Sequence, residues 1–117
     1  MYYLPGEAVD RTLSFVTGNS PAGSTLSFDY MAEAADMMER YGVKESRGAM
    51  QATYRAEPVQ FRIQEGTIDA FLSERGYSVI EHLTPEDLER RFLTLQDGSS
   101  AGKVLACFCL VQARVAN

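Results

Sequence analysis

The stretch from Tyr77 to Asp87, YSVIEHLTPED, joins a strand directly to the start of a helix. Alternation along Tyr77–Leu83 predicts a strand. Its two faces are Tyr77, Val79 and Glu81 on one side, and Ser78, Ile80 and His82 on the other. Thr84 then suits a helix cap and Pro85 a first helical position. A strand followed at once by a capped helix is typical of α/β proteins.

The residues before this stretch also alternate between helix and strand patterns. Apolar spacing predicts a helix over Pro5–Val16, stopped near Gly18. Ser24–Tyr30 alternates with period 2 and predicts a strand. Met31–Tyr41 is rich in Ala, Met and Glu, which favours a second helix. Its methionines are expected to fill the core.

The middle of the chain is harder to interpret. Val43–Ala56 is expected to be irregular or a short helix, and Glu57–Ile63 an edge strand or extended loop because of its Pro58. Glu65–Arg75 follows as an amphipathic helix ended by Gly76. Its predicted buried side is formed by Ile68, Phe71 and Leu72.

The carboxyl-terminal part completes the pattern. Leu88, Phe92 and Leu95 are expected to form the buried stripe of the helix that begins after Thr84. After a Gly/Ser/Asp loop, Lys103–Val115 predicts a final strand. Its run from 104 to 111 is apolar throughout, which favours burial on both faces. The fold class predicted is α/β, with any strand–helix–strand step parallel and right-handed.

Composition limits the class of protein. The chain has 117 residues, enough for one domain, and is 45% hydrophobic with a net charge of −5. An acidic balance argues against a general nucleic-acid or anionic-membrane binder, since both need a basic face. The apolar run of eight residues is far short of the ~20 that a membrane-spanning helix needs. No secretory leader is expected at the start of the chain.

The two cysteines, Cys107 and Cys109, are expected to lie on one face of the last strand as buried thiols. Unpaired thiols favour a reducing, cytoplasmic location. A metal site is not expected, because it would need further thiols or histidines and the chain offers only His82.

Five segments resemble a known family when taken in order. They are Tyr3–Asp10, Pro21–Tyr30 with its Phe28-Asp29-Tyr30 end, Glu57–Phe61, Phe71–Tyr77 and Leu88–Phe92. At these spacings the chain resembles the carboxyl-terminal half of the leucine carboxyl methyltransferase-like family. The resemblance implies a class I methyltransferase (Rossmann-like) sheet, here about its last three strands with flanking helices. It also implies an O-methyltransferase that uses S-adenosylmethionine.

The cofactor-binding elements of that family precede the matched part, and no Gly-x-Gly turn follows a strand here. The chain is therefore expected to be a single partial domain, residues 1–117, that binds no cofactor alone and is inactive alone. A truncated gene, an internal start, a split gene and a cut chain would all give this pattern.

The resemblance also implies a partner. In the family, the strand matched by Ser24–Tyr30 pairs with a fourth strand that has no counterpart here. Because bare edges tend to become paired, we expect a homo-oligomer through this sheet edge, or a separate cofactor-binding half. The alternative function is a non-catalytic remnant that oligomerises or binds a partner.

Three residues are candidates for substrate binding. Tyr3 matches a tyrosine at the mouth of the family's active site, although an aromatic packed on the first helix is an equal alternative. Asp29 and Tyr30 end a strand, and α/β sheets bind ligands beyond such ends; a cap and a core aromatic are the alternatives. His82 is expected at the surface rather than in catalysis. Arg90-Arg91 could hold a carboxylate, but neighbouring acids favour a solvated face.

Overall fold

The computed structural model describes residues 1–45 and 60–116. Its elements, in chain order, are α1 (Gly6–Asn19), β1 (Thr25–Glu33), a 3₁₀ helix (Met37–Glu39), β2 (Ile63–Gln64), α2 (Ile68–Ser73), β3 (Tyr77–Leu83), α3 (Pro85–Phe92) and β4 (Phe108–Val115). The α/β class predicted from the sequence is confirmed.

The four strands form one mixed sheet in the order β2-β1-β4-β3. β2 pairs in parallel with the end of β1, where Ala32 lies opposite Ile63. β4 is antiparallel to both of its neighbours, so that Val111 faces Phe28 on one side and His82 on the other. The parallel step expected between successive strands is therefore found for β1 and β2, but β3 and β4 are antiparallel.

One face of the sheet carries the core. Its buried side chains come from alternate positions of the three long strands and from two helices: Tyr30, Cys109, Val111, Ala113, Val115 and Tyr77, with Val9 and Leu13 of α1 and Ile68 and Leu72 of α2. The Tyr77 hydroxyl donates a 2.7 Å hydrogen bond to the Leu13 carbonyl. This bond satisfies a buried polar group and fixes α1 against β3.

The start of α3 is as predicted. The Thr84 hydroxyl accepts from the Asp87 N–H, and the Asp87 carboxylate accepts from the Thr84 N–H, which completes a capping box. The predicted buried stripe is wrong beyond its first member, however. Leu88 is buried, whereas Phe92 and Leu95 are more than half exposed, because α3 ends at Phe92 and the chain leaves the sheet there.

The helix predicted over Met31–Tyr41 does not form. Met31–Glu33 continue β1, and only the short 3₁₀ helix at Met37–Glu39 is helical. Pairing explains the difference, because Met31 lies opposite Phe108 of β4 and Ala32 pairs with β2. These contacts, together with burial, outweigh the intrinsic preference of Ala and Met for helix.

β3 spans the predicted residues, but its faces differ from the prediction. A register shift between Val79 and Glu81 marks a bulge at Ile80. The bulge turns Glu81 away from the Tyr77 and Val79 face and brings His82 onto it. His82 is therefore half-buried rather than at the surface.

β4 begins at Phe108, later than expected, and alternates in burial instead of being buried on both faces. Cys109, Val111, Ala113 and Val115 are buried, while Gln112 and Arg114 are exposed. Phe108 and Leu110, the apolar residues on the second face, are only half-buried. We call this second face, which carries Phe108, Leu110, Gln112 and Arg114 of β4, the open face.

Two helix boundaries shift for local reasons. α1 passes through Gly18 and ends at Asn19, since Ser20 precedes a proline and is extended. α2 starts at Ile68 because Gly66, at φ 83°, forms a turn after β2. Within the described ranges, each helix is too short or too polar to cross a bilayer. The expectations for 46–56 and for 57–59 lie outside the described residues.

Candidate functional site

The carboxyl ends of β1, β2 and β3 meet at one edge of the sheet. β1 and β3 are both antiparallel to β4, and β2 is parallel to β1, so all three run in one direction. Ligands of α/β sheets bind beyond such ends. The candidate site is therefore built from this edge and from the N-terminal residues that lie against it.

Asp29 and Tyr3 lie in the same neighbourhood. The Met1 amine is 3.3 Å from Asp29 Oδ1, and the rings of Tyr2 and Tyr3 are 4.7 Å apart between centroids. Burial raises the pKa of the Tyr2 phenol, and the charge of Asp29 adds to that increase. Tyr2 thus contacts the ring of Tyr3 and interacts electrostatically with Asp29. Tyr2 was not predicted from the sequence, where only its position next to Tyr3 could have indicated it.

Tyr30 points to the opposite face of β1 from Asp29. Its side chain is 2% exposed, and its hydroxyl lies 2.6 Å from His82 Nε2. Burial raises the pKa of this phenol strongly, so Tyr30 stays protonated. The direction of its hydrogen bond to Nε2 follows the tautomer of His82. The structure brings Tyr30 together with His82, across β4, and not with Asp29 or Tyr3.

The carboxylates at the strand ends are held by arginines. Arg40 binds both oxygens of Glu65, which follows β2, and also binds Asp36 at 2.8 Å. The pKa of the Glu65 carboxyl is lowered because of these bonds. Glu33, the last residue of β1, has its Oε2 3.2 Å from Arg62 Nε. These acids thus stabilise the sheet edge.

S-adenosylmethionine, the cofactor that the resemblance implies, does not fit the described residues. An adenosine cofactor needs a glycine-rich turn for close backbone approach and a carboxylate for its ribose hydroxyls. The sequence contains no Gly-x-Gly. The acids at the described strand ends, Glu33 and Glu65, are already paired with Arg62 and Arg40.

The open face carries a shallow depression of about 360 Å³ between β1 and β3. Two rows of side chains cross the three strands there: Ser27, Gln112 and Glu81 in one, and Asp29, Leu110 and Leu83 in the other. Asp29 and Tyr30 do not end β1 as predicted, because the strand continues to Glu33; Asp29 lies within the strand, on the open face. The sequence could not show these rows, because they depend on register between strands.

The arginines of α3 bind acids, as expected for a solvated face. Arg90 pairs with Asp87, and Arg91 Nη1 lies 2.8 Å from Glu81 Oε1. Asp87 was expected as a partner of these arginines. Glu81 was not, because it reaches α3 only through the bulge in β3. Among the described residues, no group of three or more His, Cys, Asp or Glu side chains could hold a metal ion.

Both cysteines are buried and unbridged. Burial raises the pKa of the Cys109 thiol to about 11, from 9.0. Because the pKa of the thiol is higher in the folded state, the protonated thiol of Cys109 stabilises the folded chain relative to the unfolded one. This stabilisation is complete below pH ~9, where the unfolded thiol begins to ionise, and is lost as pH rises through about 11. We expect the free energy of unfolding to fall between these values.

Urea denaturation at intervals from pH 8 to 11 measures this loss. Cys109→Ala removes the thiol, so the variant should lose less stability over the same range than the wild-type chain, whatever its stability at pH 8. Parallel curves for the two proteins would contradict the assignment.

Comparison with protein-family models, curated proteins and solved structures finds no match to this chain.

Proposed function

We propose that this chain is the carboxyl-terminal part of an S-adenosylmethionine-dependent O-methyltransferase of the leucine carboxyl methyltransferase-like type. One observation carries the proposal. β4, the last strand in the chain, inserts antiparallel between β1 and β3, which share a direction. The resemblance implies about the last three strands of a class I methyltransferase sheet, and β1, β4 and β3 are three adjacent long strands. The five matching segments support the same assignment.

In this proposal the chain supplies the substrate side of the site and another half holds the cofactor. When bound there, S-adenosylmethionine supplies an electrophilic methyl group. Methyl transfer to oxygen depends mainly on alignment of the acceptor, so few acid–base groups are needed. Asp29, which binds the Met1 amine, and Tyr3 would contact the acceptor, while Tyr30, bonded to His82, would support β1 from the core.

Calorimetric titration with S-adenosylhomocysteine tests the proposal. We expect no heat from the chain alone up to millimolar ligand, because the described residues do not fit the cofactor. Addition of a polypeptide carrying a strand followed by a glycine-rich turn, sought in the reading frame upstream, should give saturable binding near one ligand per pair. Binding by the chain alone would overturn the need for a second half. No binding by the pair would count against the methyltransferase assignment.

A second candidate function is a non-catalytic module that self-associates through the outer edge of β1. The Glu33 carbonyl accepts from Glu65 N–H on the β2 side, whereas Ala32 N–H donates towards Cys107 on the other. Since successive backbone groups alternate, those of Ser27 and Asp29 point to the outer edge. No backbone partner for them lies among the described residues. Such an edge can pair with a second copy.

Solution scattering distinguishes this candidate. Self-association through the edge predicts a dimer that Ser27→Pro converts to a monomer, because the substitution removes only an outward N–H. The matched control is Ser27→Ala, which keeps the outward N–H and should leave the dimer intact. A monodisperse wild-type monomer would exclude edge pairing.

A further inference from the structure

The turn that follows α3 contains an aspartate followed by a glycine. Asp97 precedes Gly98, whereas every other aspartate of the chain precedes a larger residue. An aspartyl–glycyl pair is prone to cyclise, because the glycine has no side chain to hinder attack of its amide nitrogen on the neighbouring carboxyl carbon. Both residues are exposed, so water reaches them. The pair is therefore a candidate for spontaneous modification.

Backbone hydrogen bonds define the shape of this turn. The Gly98 N–H donates to the Leu95 carbonyl at 2.9 Å, which closes a β-turn. The Leu95 N–H donates to the Ser99 carbonyl at 2.8 Å. Beyond these bonds, Thr94 pairs with Ser100 in an antiparallel bridge. Gly98 has a φ of 87°, a left-handed conformation that favours glycine. The turn is thus a tight hairpin in which the amide of Gly98 is engaged.

Ser99 holds the carboxylate next to this amide. Asp97 Oδ1 accepts from the Ser99 N–H at 2.9 Å and from the Ser99 hydroxyl at 2.6 Å. Aspartate side chains commonly bond the backbone two residues on in this way. The two bonds lower the pKa of the Asp97 carboxyl, because they favour its charged form. The carboxylate is therefore held in its ionised form by its neighbour.

The two reacting groups are thus both held in forms that do not react. Cyclisation requires the nitrogen of Gly98 to give up its proton, but that N–H is bonded to the Leu95 carbonyl. It also requires the carboxyl of Asp97 to be protonated, because its oxygen leaves as water. Ser99 opposes this protonation. Each hydrogen bond must open before the nitrogen can attack.

We propose that Asp97–Gly98 is a site of spontaneous isoaspartate formation, and that the folded turn restrains the reaction by engaging the Gly98 amide and the Asp97 carboxylate in separate hydrogen bonds. In the reaction the Gly98 nitrogen bonds to Cγ of Asp97, and the hydroxyl of the carboxyl leaves as water with the amide proton. Water then opens the cyclic imide. Cleavage between the nitrogen and the backbone carbonyl gives isoaspartate, whereas cleavage at Cγ restores aspartate. The inference does not depend on a role in methyl transfer.

Isoaspartate changes the length of the turn. It places Cβ of Asp97 in the main chain, so the ring closed by the bond from Gly98 to Leu95 gains one atom. The bridge between Thr94 and Ser100 depends on the geometry of that ring. We therefore expect the modification to disrupt the hairpin and to loosen the connection between α3 and β4.

Incubation of the full chain, folded and unfolded in urea at the same pH and temperature, tests the proposal. The peptide that contains Asp97 is isolated after proteolysis, and tandem mass spectrometry distinguishes aspartate from isoaspartate. We expect isoaspartate at residue 97 in the unfolded chain, and formation at least about tenfold slower in the folded chain, because several hydrogen bonds must open first. Equal rates would overturn the restraint, and absence of isoaspartate in urea would overturn the site.

Two serines of the turn provide a matched pair of variants. Ser99→Ala removes the hydroxyl that binds Asp97, so the rate in the folded chain should rise about threefold. NMR titration should show the pKa of the Asp97 carboxyl closer to its ordinary value. Ser100→Ala removes an exposed hydroxyl that bonds Gly102 instead, and should change neither quantity.

The two readouts separate restraint by Ser99 from general loosening of the turn. A shifted Asp97 pKa with an unchanged rate in Ser99→Ala would show that the carboxylate is not the group that restrains the reaction. The same increase in rate for both serine variants would show that the hairpin as a whole had opened, which would also contradict the role of Ser99.

Discussion

Replacing Tyr30 by alanine is expected to lower the free energy of unfolding by about 3–5 kcal/mol. The tyrosine is 2% exposed, lies in the main core cluster and bonds His82 across β4. Truncation therefore removes both the packing of a large ring and a link between strands that are not neighbours. Urea denaturation monitored by circular dichroism gives the value. A loss below about 1 kcal/mol would show that the core closes around the gap or that Tyr30 is not buried.

Two further variants separate packing from hydrogen bonding. Tyr30→Phe should cost about 1 kcal/mol or less, since half-buried His82 can turn to water. His82→Ala should cost more, about 1–3 kcal/mol, because it removes the hydrogen-bond partner of the buried Tyr30 hydroxyl. The double variant should cost less than the sum of the two. Additive losses would mean that the two side chains do not interact.

Leu13→Ala is expected to destabilise the protein by about 2–5 kcal/mol. Leu13 is fully buried on the inner side of α1, and its carbonyl accepts the hydrogen bond from Tyr77. The cavity would lie where α1 meets β3, so the loss should appear as a lower denaturation midpoint with an unchanged urea dependence.

The matched control lies on the same helix, two residues along. Phe15→Ala removes a larger side chain, but one that is 68% exposed, and should change stability by no more than about 0.5 kcal/mol. Similar losses for the two variants would show that α1 does not dock by the side that carries Leu13.

Local signals predicted the elements they control. The cap at Thr84 and Pro85 defined the start of α3, and the alternation of Tyr77–Leu83 defined β3, because turn chemistry and short-period patterning act within a few residues. The edge role of the segment after Pro58 was also correct where it is described, since Ile63 and Gln64 form the outer strand β2.

Pairing between strands that are distant in the sequence determined the features that the sequence did not predict. Met31–Glu33 have helical composition but join β1, because β2 and β4 offer them hydrogen bonds. The bulge at Ile80 exchanges the faces of Glu81 and His82, and no residue type in Tyr77–Leu83 announces it. The partnership of His82 with Tyr30 depends on that bulge and was missed for the same reason.

The candidate site was predicted only in part. Met1 binds Asp29, and the ring of Tyr3 lies against that of Tyr2. Tyr30 belongs to the other face of the sheet from Asp29, as alternation along any strand requires for adjacent residues. The depression on the open face combines residues from three strands, so its lining followed from register alone.

The place of β4 in the sheet has a consequence for biosynthesis. β1 and β3 touch only through β4, which is made after both. Until β4 has been made, neither long strand has its principal neighbour. Pairing of the long strands must therefore wait until β4 has left the exit tunnel, and the unpaired strands favour aggregation before then.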